Sequence, residues 1–72
     1  MIKAKLIYNP DLQKINAVVV TTENGINLGV PFDPANTDYA NFKKEILADE
    51  AQLQDADGNV MADAKAYVAS LP

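Results

Sequence analysis

Ile15-Asn16-Ala17-Val18-Val19-Val20-Thr21-Thr22-Glu23-Asn24-Gly25-Ile26-Asn27-Leu28-Gly29-Val30 is the stretch whose pairing determines how this chain folds. Its first half is dense in β-branched residues, which pack well on a pleated strand and lose side-chain freedom in a helix. Asn24-Gly25 follows, and both residues accept the positive φ of a tight hairpin turn. The stretch therefore predicts two antiparallel strands, 15–22 and 26–30, with Pro31 stopping the second. Its register depends on the loop. A two-residue turn sets Val19 opposite Val30, and a four-residue turn sets it opposite Leu28. Both leave Ala17, Val19 and Thr21 on the face of Ile26, Leu28 and Val30, whereas a three-residue turn reverses that facing.

Upstream, residues 2–8 alternate, with Ile2, Ala4, Leu6 and Tyr8 on one side and Lys3, Lys5 and Ile7 on the other. That period predicts a further strand, ended by the Asn9-Pro10-Asp11 turn. Downstream, Asp33–Asp38 reads as a helix start, with Asn36 or Thr37 as the cap and Asp38 at the positive end of the helix. Tyr39, Phe42, Ile46 and Leu47 then recur at helical spacing to about residue 49. Asp57-Gly58 marks a tight turn or minimal hairpin, and Asp63 opens a last helix bearing Ala64, Tyr67, Val68 and Leu71 on one stripe. The expected architecture is a single α+β domain over 1–72. A three-stranded antiparallel β-meander leads into an amphipathic helix, a short turn or mini-hairpin and a C-terminal helix.

Composition narrows the chemistry. The 72 residues include no His, Cys, Trp or Arg, and ten acidic residues oppose six lysines for a net charge of -4. Without Cys or His the usual zinc, haem, thiolate and imidazole chemistries have no residues to work with. Surface scaling gives roughly 4,400 Å² exposed on folding, enough for one thin core only. Charge is uneven: +1 over residues 1–32 and -5 over 33–72. Such a field repels phosphate, so a nucleic-acid partner is not expected. No apolar run nears the ~20 residues of a membrane span, and the alternation at Lys3 and Lys5 leaves no h-region for a signal peptide.

The motifs that suggest chemistry have simpler readings. Asp55-Ala56-Asp57-Gly58-Asn59 resembles the start of a calcium loop, but Val60 stands where the sharp-turn glycine belongs and Ala66 where the bidentate glutamate belongs. Asp33 with Asp38, or Asp55 with Asp57, supply paired carboxylates without the cleft that would separate their pKa values. Ser70 has no histidine to activate it. Gly25, Gly29 and Gly58 form no phosphate loop. Tyr8, Tyr39 and Tyr67 read mainly as packing residues, with a protein contact as the alternative. No catalytic residue, metal ligand, cofactor or small-molecule substrate is expected, and the chain reads as a non-enzyme.

The turns with an even number of residues have a consequence for binding. They send Leu6, Val19, Leu28 and Val30 beneath the Phe42/Ile46 helix, and they leave Ile7, Val18 and Val20 on the opposite face among Lys3, Lys5, Asn16, Asn27 and Gly29. Ile7, Val18 and Val20 are thus the expected protein-contact residues, for a partner or for self-association, unless the last helix covers them. An uncovered sheet edge offers strand addition as a second route. An alternative reading makes the chain an acidic inhibitor or regulator that docks on a basic, nucleic-acid-binding protein through Asp38, Glu45, Asp49 and Asp55.

Val30-Pro31-Phe32-Asp33, Asn36-Thr37-Asp38-Tyr39, Phe42-Lys43-Lys44-Glu45-Ile46-Leu47 and Leu53-Gln54-Asp55-Ala56-Asp57-Gly58-Asn59-Val60-Met61 together resemble short, poorly characterised proteins of tailed bacteriophages. The chain departs from that pattern at Asp49-Glu50, where a glycine-containing helix end is expected. The resemblance implies a structural or accessory role, in the virion or in the host cytoplasm. It implies no catalytic residue.

Overall fold

The computed structural model describes residues 2–72. The fold is α+β. Strands β1 (Ile2–Asn9), β2 (Lys14–Thr21) and β3 (Asn27–Pro31) form the expected meander, followed by helix α1 (Thr37–Leu47), strand β4 (Ala51–Gln54) and helix α2 (Ala64–Ala69). β4 adds to the sheet beside β1 and parallel to it, giving the order β3-β2-β1-β4. The sheet is therefore mixed and four-stranded, not a three-stranded meander alone. Leu53 is the reason β4 docks: it lies beside Ala4 and is buried with it.

The core gathers Ala4 and Leu6 from β1, Val18 and Val20 from β2, Val30 from β3 and Leu53 from β4. Against them pack Tyr39, Phe42 and Ile46 of α1 and Val68 of α2. Phe32 joins them with its ring centroid 5.2 Å from Tyr39 and 6.2 Å from Phe42. The total exposed surface, 4573 Å², agrees with the scaling expectation. One layer of helices on one side of a sheet is all that this chain length supports.

Val18 and Val20 overturn the sequence expectation. Val18 is fully buried and Val20 is 8% exposed, both on the helix side of the sheet. Two local features reverse the facing of β2. The first is a β-bulge at Asn16. Asn9 pairs with Lys14 and Tyr8 with Ile15, but beyond the bulge Ile7 pairs with Ala17, Leu6 with Val18 and Ala4 with Val20. Asn16 is the unpaired extra residue, and its carbonyl accepts the Phe32 N–H at 3.0 Å. Without that bulge, Ala4 would face Val19.

The second feature is the loop. Thr22 N–H donates to Ile26 C=O and Gly25 N–H to Thr22 C=O, each at 2.9 Å, which makes Glu23-Asn24-Gly25 a three-residue loop. Gly25 sits at φ +82°, the left-handed position that such a loop ends on. Val18 then pairs with Val30 and Val20 with Leu28. Bulge and loop agree with each other, so all three strands present one apolar face.

Helix α1 is capped by Asn36, whose side chain accepts the N–H groups of Asp38 at 2.8 Å and Tyr39 at 3.2 Å. At its other end Asp49 takes φ +61°, Asp49 N–H donates to Ile46 C=O, and Glu50 N–H donates to Glu45 C=O. This paired closure usually uses glycine. Asp49 performs it here and is held by Lys65 Nζ, 2.7 Å from its carboxylate. The reversal feeds the chain directly into β4. Asp63 stands at the start of α2, but its side chain makes no capping bond there.

Tyr39 carries a polar atom into this core. Its ring is fully buried, its hydroxyl has no hydrogen-bond partner among the described residues, and Lys43 Nζ lies 4.7 Å above the ring. Burial, and then the neighbouring Tyr67, push the Tyr39 phenol above its ordinary pKa; burial alone raises Tyr67. Because both folded-state values lie above the unfolded ones, their contribution is intact below pH ~10 and is lost as pH rises through the folded values. Tyr39→Phe removes the unpaired hydroxyl and should stabilise the fold by about 1 kcal/mol. Thermal unfolding at pH 7 and above pH 10 checks this: the variant melts higher at both, with the larger gain in alkali.

Candidate functional site

Both helices lie on one face of the sheet and the other face is open. β1 contributes Lys3, Lys5 and Ile7 to it, β2 Ala17, Val19 and Thr21, β3 Asn27, Gly29 and Pro31, and β4 Gln52 and Gln54. These residues stand beside one another in the ladders: Lys3 lies between Thr21 and Gln52, Lys5 between Val19 and Gln54, and Ile7 next to Ala17. Lys3, Lys5, Ile7, Asn27, Gly29 and Pro31 are exposed, and Ala17, Val19, Thr21, Gln52 and Gln54 are half-buried. Lys14, two residues before the bulge, extends the same face by strand alternation.

Of the expected contact residues, only Ile7 is on this surface, 37% exposed. Val18 and Val20 are on the other side of the sheet, and Val19 takes their place. The β1 assignment was legible from its alternation, as were the positions of Asn27 and Gly29. Asn16 is the residue on which the facing turns: as the unpaired extra residue it moves the rest of β2 to the other face, and nothing in the strand's own pattern marks it.

The electrostatics of this face are one-signed. Lys3, Lys5 and Lys14 are half of the chain's lysines, and no carboxylate stands among the described strand residues of this face. The two central lysines are two residues apart on one strand, about 7 Å along it. Polar and apolar side chains alternate around them. Among the described residues, no three acidic side chains are grouped as metal ligands would be, and no helix is long and apolar enough to cross a membrane.

Three of the ten acidic residues, Asp33, Asp49 and Asp55, have side-chain partners of their own. Asp55 Oδ1 accepts the N–H groups of Asp57 and Asn59, each at 2.9 Å, and Gly58 takes φ +89° in the same turn. The Asn59 N–H is the main cause of the lowered Asp55 pKa. This is a self-contained turn, as its sequence suggested. Asp33 Oδ1 accepts Ala35 N–H at 3.0 Å. A groove between α1, β4 and α2 is bordered by Ile46, Ala51, Leu53, Met61 and Ala64, with the Asp49–Lys65 pair beside it. Gln52 and Asp63 also line this groove. Comparison with protein-family models, with curated proteins and with solved structures found no match in any of the three.

Proposed function

We propose that this chain is a small non-enzymatic protein-interaction module, a structural or accessory component of the kind its resemblance to tailed-phage proteins implies, which docks an acidic protein surface on its open sheet face. The single observation behind this reading is the charge segregation: three lysines and no carboxylate among the described strand residues of one face, in a chain whose net charge is -4. Ile7, Ala17, Val19 and Pro31 supply apolar area between the cations, the mixture expected of a contact surface. A polyphosphate fits less well. The strand residues of the face include no aromatic ring on which bases could stack. The inhibitor reading is the weaker one, because Asp49 is paired with Lys65 and Asp55 is folded into its own turn.

Titration with poly-glutamate, followed by amide chemical shifts, tests the proposal. Saturable shifts should map to Lys3, Lys5, Val19 and Gln52, and they should exceed those caused by a single-stranded oligonucleotide of equal charge. Lys3→Glu/Lys5→Glu keeps the fold, since both side chains are exposed, and weakens binding at least tenfold, at about 0.5 kcal/mol for each charge removed and again for each reversed. Shifts confined to the helix layer, or equal binding by the double variant, would overturn the proposal.

A further inference from the structure

The two edges of the sheet differ. At the β4 edge, Asp55 N–H donates to Asn59 C=O at 2.8 Å and Met61 N–H to Leu53 C=O at 3.0 Å, so residues 59–61 close that edge as a short antiparallel return. The β3 edge has no such cover. Bonds from Thr22 N–H to Ile26 C=O and from Phe32 N–H to Asn16 C=O set the alternation of the β2–β3 ladder. Ile26, Leu28 and Val30 turn their backbone groups toward β2, and Asn27, Gly29 and Pro31 turn theirs away. Pro31 has no N–H to offer, and its carbonyl already accepts Asp33 N–H at 2.9 Å. Asn27 and Gly29 are left with outward donors and acceptors that take no partner among the described residues.

Beside this edge, on the helix side, Leu28 is 41% exposed and Ile26 55%. An apolar pair next to an unpaired edge is what strand-to-strand association uses and what protected edges avoid. We infer that β3 pairs antiparallel with β3 of a second copy, about a two-fold axis through Leu28. In that register each Asn27 exchanges both of its backbone hydrogen bonds with Gly29 of the other copy. Leu28 faces Leu28, and Ile26 faces Val30. Pro31 falls opposite Gly25, beyond the last bonded pair, where its missing N–H costs nothing. The same strand thus satisfies its own edge and covers its own exposed side chains.

The pairing is closed. Once the two β3 edges meet, only the covered β4 edges remain, and the assembly stops at a dimer instead of growing into a fibre. It also leaves the lysine-bearing face free, so it does not depend on the proposed acidic partner. Added salt distinguishes the two contacts: it weakens binding at the lysines, and it leaves the strand pairing intact or tightens it, because Asp38 and Glu45 border the groove beside Leu28.

Sedimentation equilibrium from about 10 μM to about 1 mM, the span of weak specific contacts, tests the inference. The wild-type mass should rise from 7.8 kDa toward twice that value. Gly29→Pro removes the central outward donor without touching the β2 ladder, and it should remain monomeric with an unchanged circular dichroism spectrum. Gly29→Ala should still dimerise, since an added Cβ at that position meets nothing within 4 Å. Leu28→Lys provides a second disruption that leaves the backbone alone, and it too should be monomeric. A wild type that stays single at the highest concentration, or a dimer that survives Leu28→Lys, overturns the inference.

Discussion

Val18→Lys unfolds this protein, while Val19→Lys leaves it folded. Val18 has no exposed surface and sits between Leu6 and Val30 in the middle strands of the sheet. A lysine there has no carboxylate to pair with, because no charged residue is buried among the described residues. Burying an unpaired ammonium costs about 4–5 kcal/mol or more. A domain of this length holds roughly 4–11 kcal/mol in total, so the substitution removes most or all of its stability. Val19 is one residue away and faces solvent between Lys5 and Gly29, where a lysine adds only local like-charge repulsion. Its cost should stay within about 1 kcal/mol. Circular dichroism and urea unfolding of the two variants check the contrast. If Val19→Lys unfolds and Val18→Lys does not, the strand facing described above is wrong.

Phe42→Ala should cost about 3–5 kcal/mol, the usual range for emptying an aromatic site in a packed core. Phe42 is 2% exposed, and its ring lies 6.2 Å from Phe32 and 6.4 Å from Tyr39, centroid to centroid. Those rings join α1 to the end of β3, and nothing else of comparable size is available to fill the gap in so thin a core. The midpoint of urea unfolding should fall sharply with little change in slope, since the surface exposed on unfolding is nearly the same. Each kcal/mol lowers the melting temperature by about 4–8 °C in a domain of this size. Leu47→Ala, at the exposed end of the same helix, serves as the comparison and should change stability by no more than about 0.5 kcal/mol. A Phe42→Ala loss no larger than that of Leu47→Ala would mean that α1 does not seal the sheet.

Of the three residues expected on an open face, Ile7 alone stands there, and the reason is local. Ile7 was placed by β1 alone, whose alternation contains no irregularity before Tyr8. The facing of Val18 and Val20 follows from the parity of the Asn24-Gly25 turn, and a loop of three residues reverses it. A single extra residue at Asn16 moves an entire strand face, because side chains in a strand repeat every two residues. Asn24-Gly25 reads as a two-residue turn on its own, and only the Thr22–Ile26 pairing makes Glu23 part of the loop. β4 was hidden for a related reason. Ala51-Gln52-Leu53-Gln54 is too short to carry a strand period, and it becomes one through docking beside β1 with Leu53 buried against the α1 side chains.

Residue order alone determined the local elements: three strands from β-branched runs and alternation, α1 from its Asn36 cap and the Tyr39-Phe42-Ile46 stripe, and the Asp55–Asn59 turn from its own side-chain bonds. Each of these depends on interactions within a few residues. Tertiary pairing decided what they mean for function. Whether the valines of β2 form a core or a surface depends on hydrogen bonds between Asn16 and Phe32 and between Thr22 and Ile26. These bonds join separate strands and have no trace in either strand's own pattern. That choice buried Val18 and Val20, exposed Val19 between the lysines, and left β3 as the one edge of the sheet without a cover.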